Sequence, residues 1–225
     1  GHSDWQTIVA DIKKFGAAGK KTAVVSTING DANVPFYKEL GNQGVMASDI
    51  PVVAFSVGEE ELAGIDTKPL VGHLAAWNYF QSVEADVNDE FIAAWKAFTD
   101  EKRVTNDPME ATYIGFNMWV KAVEAAGTTD ADAVIDALPG TETPNLSGGT
   151  SVMLPNHHIT KPVLIGEIQE DGQFDIVWET EGLVPGDAWS DYLEGSKALK
   201  SDWVELKCGN YDTEAKKCLG AEAMR

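Results

Sequence analysis

Three stretches of this sequence carry side chains able to do chemistry. In VVSTINGDANVPFYKEL, Val24 to Leu40, an apolar run ends in Asn29-Gly30-Asp31 just before an amphipathic stretch. In FSVGEEEL, Ser56, Glu59 and Glu60 follow a second apolar run, with Gly58 among them. Each stretch offers an amide or hydroxyl, carboxylates and a glycine that lets a ligand approach the backbone. Such groups accept hydrogen bonds and suit a small polar ligand rich in N–H donors. Each acid also has a local role available. Asp31 is a good helix N-cap, and Ser56 with Glu59 has the spacing of a capping box. For each acid alone both roles stay open; for the pair of loops together the glycines favour ligand binding. The third stretch is KCGNYDTEAKKC, with the only two cysteines, Cys208 and Cys218. Their closeness suits a local disulfide, the alternative being two free thiols. A disulfide closing so short a loop stabilises by roughly 3 kcal/mol on the chain-entropy account, and it implies an oxidising compartment.

Other chemistry finds little support. His157-His158 follows Pro155-Asn156, a turn signal, and has no partner at metal-ligand spacing. Nucleophile elbow, Walker loop, GxGxxG and HExxH patterns do not occur. Amide hydrolysis by paired carboxylates, Asp31 and Glu59, would lack a nucleophile or metal. The expectation is therefore a chain that is not an enzyme and uses no cofactor and no metal.

The elements that must hold these loops read as follows. Trp5, Ile8, Val9 and Ile12 recur at helical spacing. Thr22–Ser26 reads as a buried strand, Asn33–Leu40 as a helix closed by Gly41, Ile50–Phe55 as a strand, Gly58–Ala63 as a short helix and Leu70–Trp77 as a third extended segment. Strand, helix, strand, helix, strand is the pattern of crossovers in a parallel sheet. Successive parallel strands put both loops on one rim, beyond the strands' carboxyl ends, where ligands sit in open α/β sheets.

From Asn88 to Leu138 the pattern is helical. Phe91, Trp95 and Phe98 line one helix. Asp107-Pro108-Met109-Glu110 supplies a cap, a proline at the first helical position and an acid at the third. Met109, Tyr113, Phe116, Val120 and Val123 form the apolar face of the helix that follows, and Ala131–Leu138 is a third helix. These helices need a sheet to cover, and the chain offers no second one. Trp77 and Tyr79 suit the core or the wall of a cleft. From Gly140 the text is β-like, with Ser151–Leu154, Ile159–Gln169 and Gln173–Glu179 as strands and Glu170–Gln173 as a hairpin turn. A polar tail follows, with Trp189, Tyr192 and Trp203 as anchors.

The totals bound the partners. The 225 residues carry 17 basic and 36 acidic side chains, a net charge of −19, which disfavours nucleic acid and anionic lipid surfaces. No apolar run is long enough to span a membrane. The start, GHSDWQTIV, lacks the basic and apolar regions of an intact secretory precursor.

The ordered set VVSTINGDANVPFYKEL, FSVGEEEL, DPMEATYIGFNMWVKAVEAAG and SGGTSVMLPNHHITKPVLIGEIQEDGQFDIVW resembles the periplasmic substrate-binding proteins of ABC transporters. The resemblance is to the leucine/isoleucine/valine type and, within it, to the urea and short-chain amide binders. It runs from about Asp4 to the cysteine-bearing tail. It implies a periplasmic-binding-protein type I α/β clamshell, here incomplete. Residues 1–78 would be a second-lobe α/β unit, 79–139 a hinge crossing with first-lobe helices, 140–180 second-lobe strands, and 181–225 a C-terminal extension. The first-lobe sheet would lie in sequence not present here, and Gly1-His2-Ser3 would be native, because the family carries a similar segment at this point. The resemblance implies an extracytoplasmic, periplasmic protein that captures urea or a short amide and delivers it to ABC permease subunits of the inner membrane. The second-lobe contacts would fall on Asn29, Gly30, Asp31, Ser56, Glu59 and Glu60. A cytoplasmic amide-sensing regulator of the same fold and a branched-chain amino-acid binder are the alternatives.

Overall fold

The computed structural model describes residues 4–187, 198–202 and 205–219. Trp189, Tyr192, Trp203 and the Gly1-His2-Ser3 start lie outside the described residues. The chain forms two compact units, residues 1–185 and residues 186–225.

The first unit is built on a five-stranded mixed sheet. Helix α1 (Gln6–Gly16) leads to β1 (Val24–Ser26), a 3-10 turn at Gly30–Ala32 and α2 (Asn33–Asn42). Then come β2 (Val52–Ala54), α3 (Glu59–Leu62), a 3-10 turn at Lys68–Leu70 and β3 (Leu74–Trp77). Strands β1, β2 and β3 are parallel, in the register Val24↔Val52 and Val53↔Leu74. Strands β6 (Leu164–Ile168) and β7 (Phe174–Glu179) add antiparallel beyond β3, giving the order β1-β2-β3-β6-β7. The β6–β7 turn closes with Gln169 N donating to Gln173 O at 2.9 Å, and Gly172 takes φ +80° there.

One core joins Val9, Phe36, Tyr37 and Leu40 of the first two helices to Val52, Ala54, Ala75, Leu164, Ile168 and Phe174 of the sheet. Phe80 and Phe174 stack at 4.5 Å with Gly166 of β6 beneath them, where a Cβ would come within 2.8 Å of the Phe80 ring. His73 is fully buried and holds two chain segments, accepting from Val52 N at 3.0 Å through Nδ1 and facing Val45 O at 3.1 Å through Nε2. Nδ1 must be bare to accept, so Nε2 carries the proton, and burial lowers the ring's pKa.

The helical block is α4 (Asp86–Phe98), α5 (Asp107–Ala126) and α6 (Ala131–Ala137). Strands β4 (Glu142–Pro144) and β5 (Thr150–Val152) pair with each other, and β4 packs on α5. They do not join the main sheet, so the β-like text after Gly140 divides between two bodies of structure.

Several expectations are corrected. The first strand is shorter than Thr22–Ser26 and lies at the sheet edge with Val25 67% exposed, because no strand among the described residues pairs its outer side. Leu70–Trp77 begins as a 3-10 turn and becomes a strand only at Leu74. The cap of α5 is Asn106, whose side chain accepts from Met109 N at 3.1 Å, one residue before the expected Asp107. The buried face of α5 is Asp107, Glu110, Ile114, Met118 and Ala122. Tyr113 and Phe116, expected on the helix's apolar face, are exposed, Phe116 by 60%. That helix is apolar on two sides, and the β4–β5 hairpin and α6 cover one of them. Phe98 of α4 is 84% exposed.

The second unit is a three-stranded antiparallel sheet in the order β10-β9-β8, from β8 (Leu199–Asp202), β9 (Cys208–Asp212) and β10 (Lys217–Cys218). Cys208 and Cys218 form the expected disulfide, with Cα atoms 5.8 Å apart, tying β9 to β10 across their turn.

Candidate functional site

The sequence places two loops on one rim, and the structure brings them into contact. Asn33, at the start of α2, is fully buried. Its Nδ2 donates to Ile28 O and to Ser56 O, both at 2.9 Å. A single amide thus fastens the loop after β1 to the loop after β2. Ser56 Oγ lies 2.6 Å from Ile28 O and 2.8 Å from Asn29 Oδ1, adding a second tie between the loops.

The two loops form one wall of a cavity of about 150 Å³, through Gly30 on one side and Ser56, Gly58 and Glu61 on the other. The rings of Trp77 and Tyr79 supply the next wall, and Asn106, Asp107 and Pro108 close the cavity with the start of α5. Trp77 is fixed by donation from Nε1 to Val57 O at 2.6 Å. Tyr79 Oη lies 2.7 Å from both Asn88 Oδ1 and Thr105 Oγ1. A larger open groove of about 630 Å³ runs along β7, lined by other residues.

The predicted site residues separate by position. Asn29, Gly30 and Asp31 are exposed at the rim. Asp31 sits inside the 3-10 turn and makes no side-chain cap bond to α2, whose cap position is Ala32. Gly30 and Ser56 line the cavity. Glu60 turns outward and pairs with Arg103 at 2.8 Å, both half exposed. Glu59 turns inward, 1% exposed, and its Oε1 accepts from Gln81 N at 2.6 Å. The expected Ser56–Glu59 capping box does not form; two residues further on only its glutamate half is present, Glu61 Oε2 accepting from Gly58 N at 2.8 Å, since Gly58 has no side chain to return the bond. The helix starts after Gly58, and this shift turns Glu59 to the core and Glu61 to the cavity.

Sequence reading missed Glu61, Asn33 and the α5 start as site elements. A buried Asn at a helix start within an apolar face was the one available signal for Asn33.

Burial governs the electrostatics. Glu59 is pushed up to about 8, first by desolvation and then by Glu61 and Asp107, against the lowering bonds from Gln81 N and its own N–H. It is protonated at neutral pH, and its Oε2 has no hydrogen-bond partner among the described residues. Glu61 is raised by desolvation and by the neighbouring Glu60 and Asp31. Asp107 is raised by desolvation, opposed by Lys161 at 3.8 Å and by Asn78 N, which donates to it at 3.0 Å. Behind it Glu110, fully buried, pairs with Lys161 and is pushed up to about 7 by desolvation. The cavity therefore presents carboxyl acceptors and two aromatic faces, and burial raises the pKa of both carboxyls.

A family model described as a periplasmic binding protein domain matches residues 1–195. The chain belongs to this family. Periplasmic binding protein domains of known structure share its type I fold. A solute binding protein of an ABC transporter from Rhodopseudomonas palustris, in complex with p-hydroxybenzoic acid, is 21% identical with a TM-score of 0.69. The match covers 82% of this chain and 50% of that one. A leucine binding protein from Thermotoga maritima is 16% identical with a TM-score of 0.60, over 80% of this chain and 49% of that one. The chain thus spans about half the length of these periplasmic binding proteins. A curated relative, limonene hydroxylase from Geobacillus stearothermophilus, is 33% identical over 119 residues, 53% of this chain and 22% of that protein. That name corrects the expectation that the chain is not an enzyme: missing nucleophile and metal motifs do not place a chain outside proteins named for catalysis. Among the described residues no helix is long and apolar enough to cross a membrane.

Proposed function

We propose that this chain forms part of the solute-binding component of an extracytoplasmic ABC importer, acting with permease subunits of the inner membrane. The proposed ligand is urea or a short-chain amide. The observation that carries this reading is the convergence of Gly30, Ser56, Gly58, Glu61 and Asp107 on one small cavity. Urea has four N–H donors and one carbonyl, so it needs several acceptor oxygens and few donors. Leaving such a donor unpaired in a closed site costs about 1–3 kcal/mol. Asp31, at the exposed rim, supplies further acceptor oxygens to an entering ligand. A carboxylate ligand would meet Glu61 and Asp107 unfavourably on this side. The disulfide supports an oxidising compartment, and with it the periplasm over a cytoplasmic regulator.

Isothermal calorimetry with urea, formamide and acetamide tests the reading, with leucine and 4-hydroxybenzoate as competitors. Heat with the amides alone is expected. Heat with leucine or 4-hydroxybenzoate alone overturns the assignment.

A further inference from the structure

We propose that Asn29–Gly30 is a self-modification site, at which the rim amide converts through a succinimide to aspartate and isoaspartate. The proposal does not depend on the identity of the ligand. The backbone nitrogen after an asparagine can attack that residue's side-chain carbonyl, and a side chain on the attacking residue obstructs the approach. Asn29–Gly30 is the one Asn-Gly pair in the sequence. Both residues are exposed. Gly30, at φ +62°, opens the 3-10 turn, so its N–H stands ahead of the first bond of that turn. Ring closure requires Asn29 to leave its extended ψ of 144°, a rotation that a following glycine permits.

Other asparagines differ in one of these respects. Asn33 and Asn88 are buried, each with its amide bonded to two carbonyls. Asn145 is buried with its amide on Ser151 Oγ. Asn42 and Asn156 are exposed but precede Gln43 and His157. Ser56 Oγ lies 2.6 Å from Ile28 O and 2.8 Å from Asn29 Oδ1, so its one proton can turn to the oxygen on which charge develops.

In the first step Gly30 N bonds to Asn29 Cγ, and Nδ2 departs as ammonia with the proton lost from Gly30 N. Water then opens the five-membered ring. Cleavage at Cγ–N leaves aspartate, and cleavage at the backbone carbonyl leaves isoaspartate. No electron transfer occurs. The product adds one negative charge to a rim that already holds Asp31 and Glu61.

The test is incubation of the native chain in mildly alkaline, heavy-oxygen water at physiological temperature, followed by peptide mapping. Asn29 is expected to convert at least tenfold faster than Asn42 or Asn156, about 1.4 kcal/mol of barrier. Both aspartate and isoaspartate are expected, each with one heavy oxygen. Asn29→Gln should abolish the gain in its own peptide and leave the Asn42 and Asn156 peptides unchanged. Conversion of Asn29 no faster than the other two overturns the proposal, as does aspartate without isoaspartate.

Discussion

Replacing Glu59 by glutamine should make the stability difference from the unaltered chain depend steeply on pH. In the folded chain Glu59 titrates near 8, against an ordinary value of 4.5. Between those values the folded state holds a proton that the unfolded state has released. Stability therefore falls as pH rises through this window, is fully present below 4.5 and is lost above 8. At about 1.4 kcal/mol per pH unit, the loss between pH 4.5 and pH 7 is roughly 3 kcal/mol. Glu59→Gln does not titrate and keeps an acceptor for Gln81 N. It places an amide nitrogen where the protonated Oε2 already lacks a partner, so both side chains carry an unpaired donor at low pH. The two proteins should thus be close in stability at pH 4.5, and the variant should gain on the unaltered chain by roughly 3 kcal/mol by pH 7. Unfolding in guanidinium chloride at several pH values measures this; urea is avoided because it is the proposed ligand. His73 titrates in both proteins, with the opposite sign: its lowered pKa makes stability fall as pH drops below its ordinary 6.5. Its contribution cancels in the difference. A difference that stays flat from pH 4.5 to 7 would refute the reasoning, because it would mean that Glu59 ionises in place.

Four further outcomes are expected. Asn33→Leu should cost about 1–3 kcal/mol by stranding Ser56 O and leaving Ile28 O to Ser56 Oγ alone, and amide exchange should quicken in the loops after β1 and β2 before it does elsewhere. Gly166→Ala should cost about 1–3 kcal/mol, read by denaturant midpoint, because its methyl group would press on the Phe80 and Phe174 side chains. Lys161→Met should cost about 3–5 kcal/mol at neutral pH, and adding Glu110→Gln should recover part of it in a double-mutant cycle. Cys208→Ser should lower the stability of the second unit by roughly 3 kcal/mol, a difference that reductant erases.

The parallel strands and their rim were legible because each signal is local: an apolar run, then a small polar loop, then helical spacing. The disulfide was legible for the same reason, as ten positions separate its cysteines. What escaped the sequence depends on rotation or on distance along the chain. A helix start displaced by two residues decides whether Glu59 or Glu61 faces the cavity, and either start places a glutamate three residues on. The α5 helix is apolar on two sides, so periodicity could not choose the covered one. Lys161 and Glu110 stand 51 residues apart, and nothing local to either announces the pair.

The identities of the acids changed while their kind did not. The sequence nominates Asp31, Glu59 and Glu60; the fold buries one, gives another to Arg103, and brings Glu61 and Asp107 to the cavity instead. Asp107 does more than line it. Its carboxylate also accepts from Asn78 N, while Asn78 Nδ2 donates to Pro162 O at 2.6 Å and Asn78 O accepts from Ser147 Oγ at 3.0 Å. Asn78 lies on the segment that leads from the main sheet to the helical block, and Pro162 on the one that leads from the β4–β5 hairpin back to the main sheet. Lys161, next to Pro162, faces Asp107 and Glu110 together. A change of charge at Asp107 therefore acts on the cavity wall and on both connections at once, because one carboxylate serves all three.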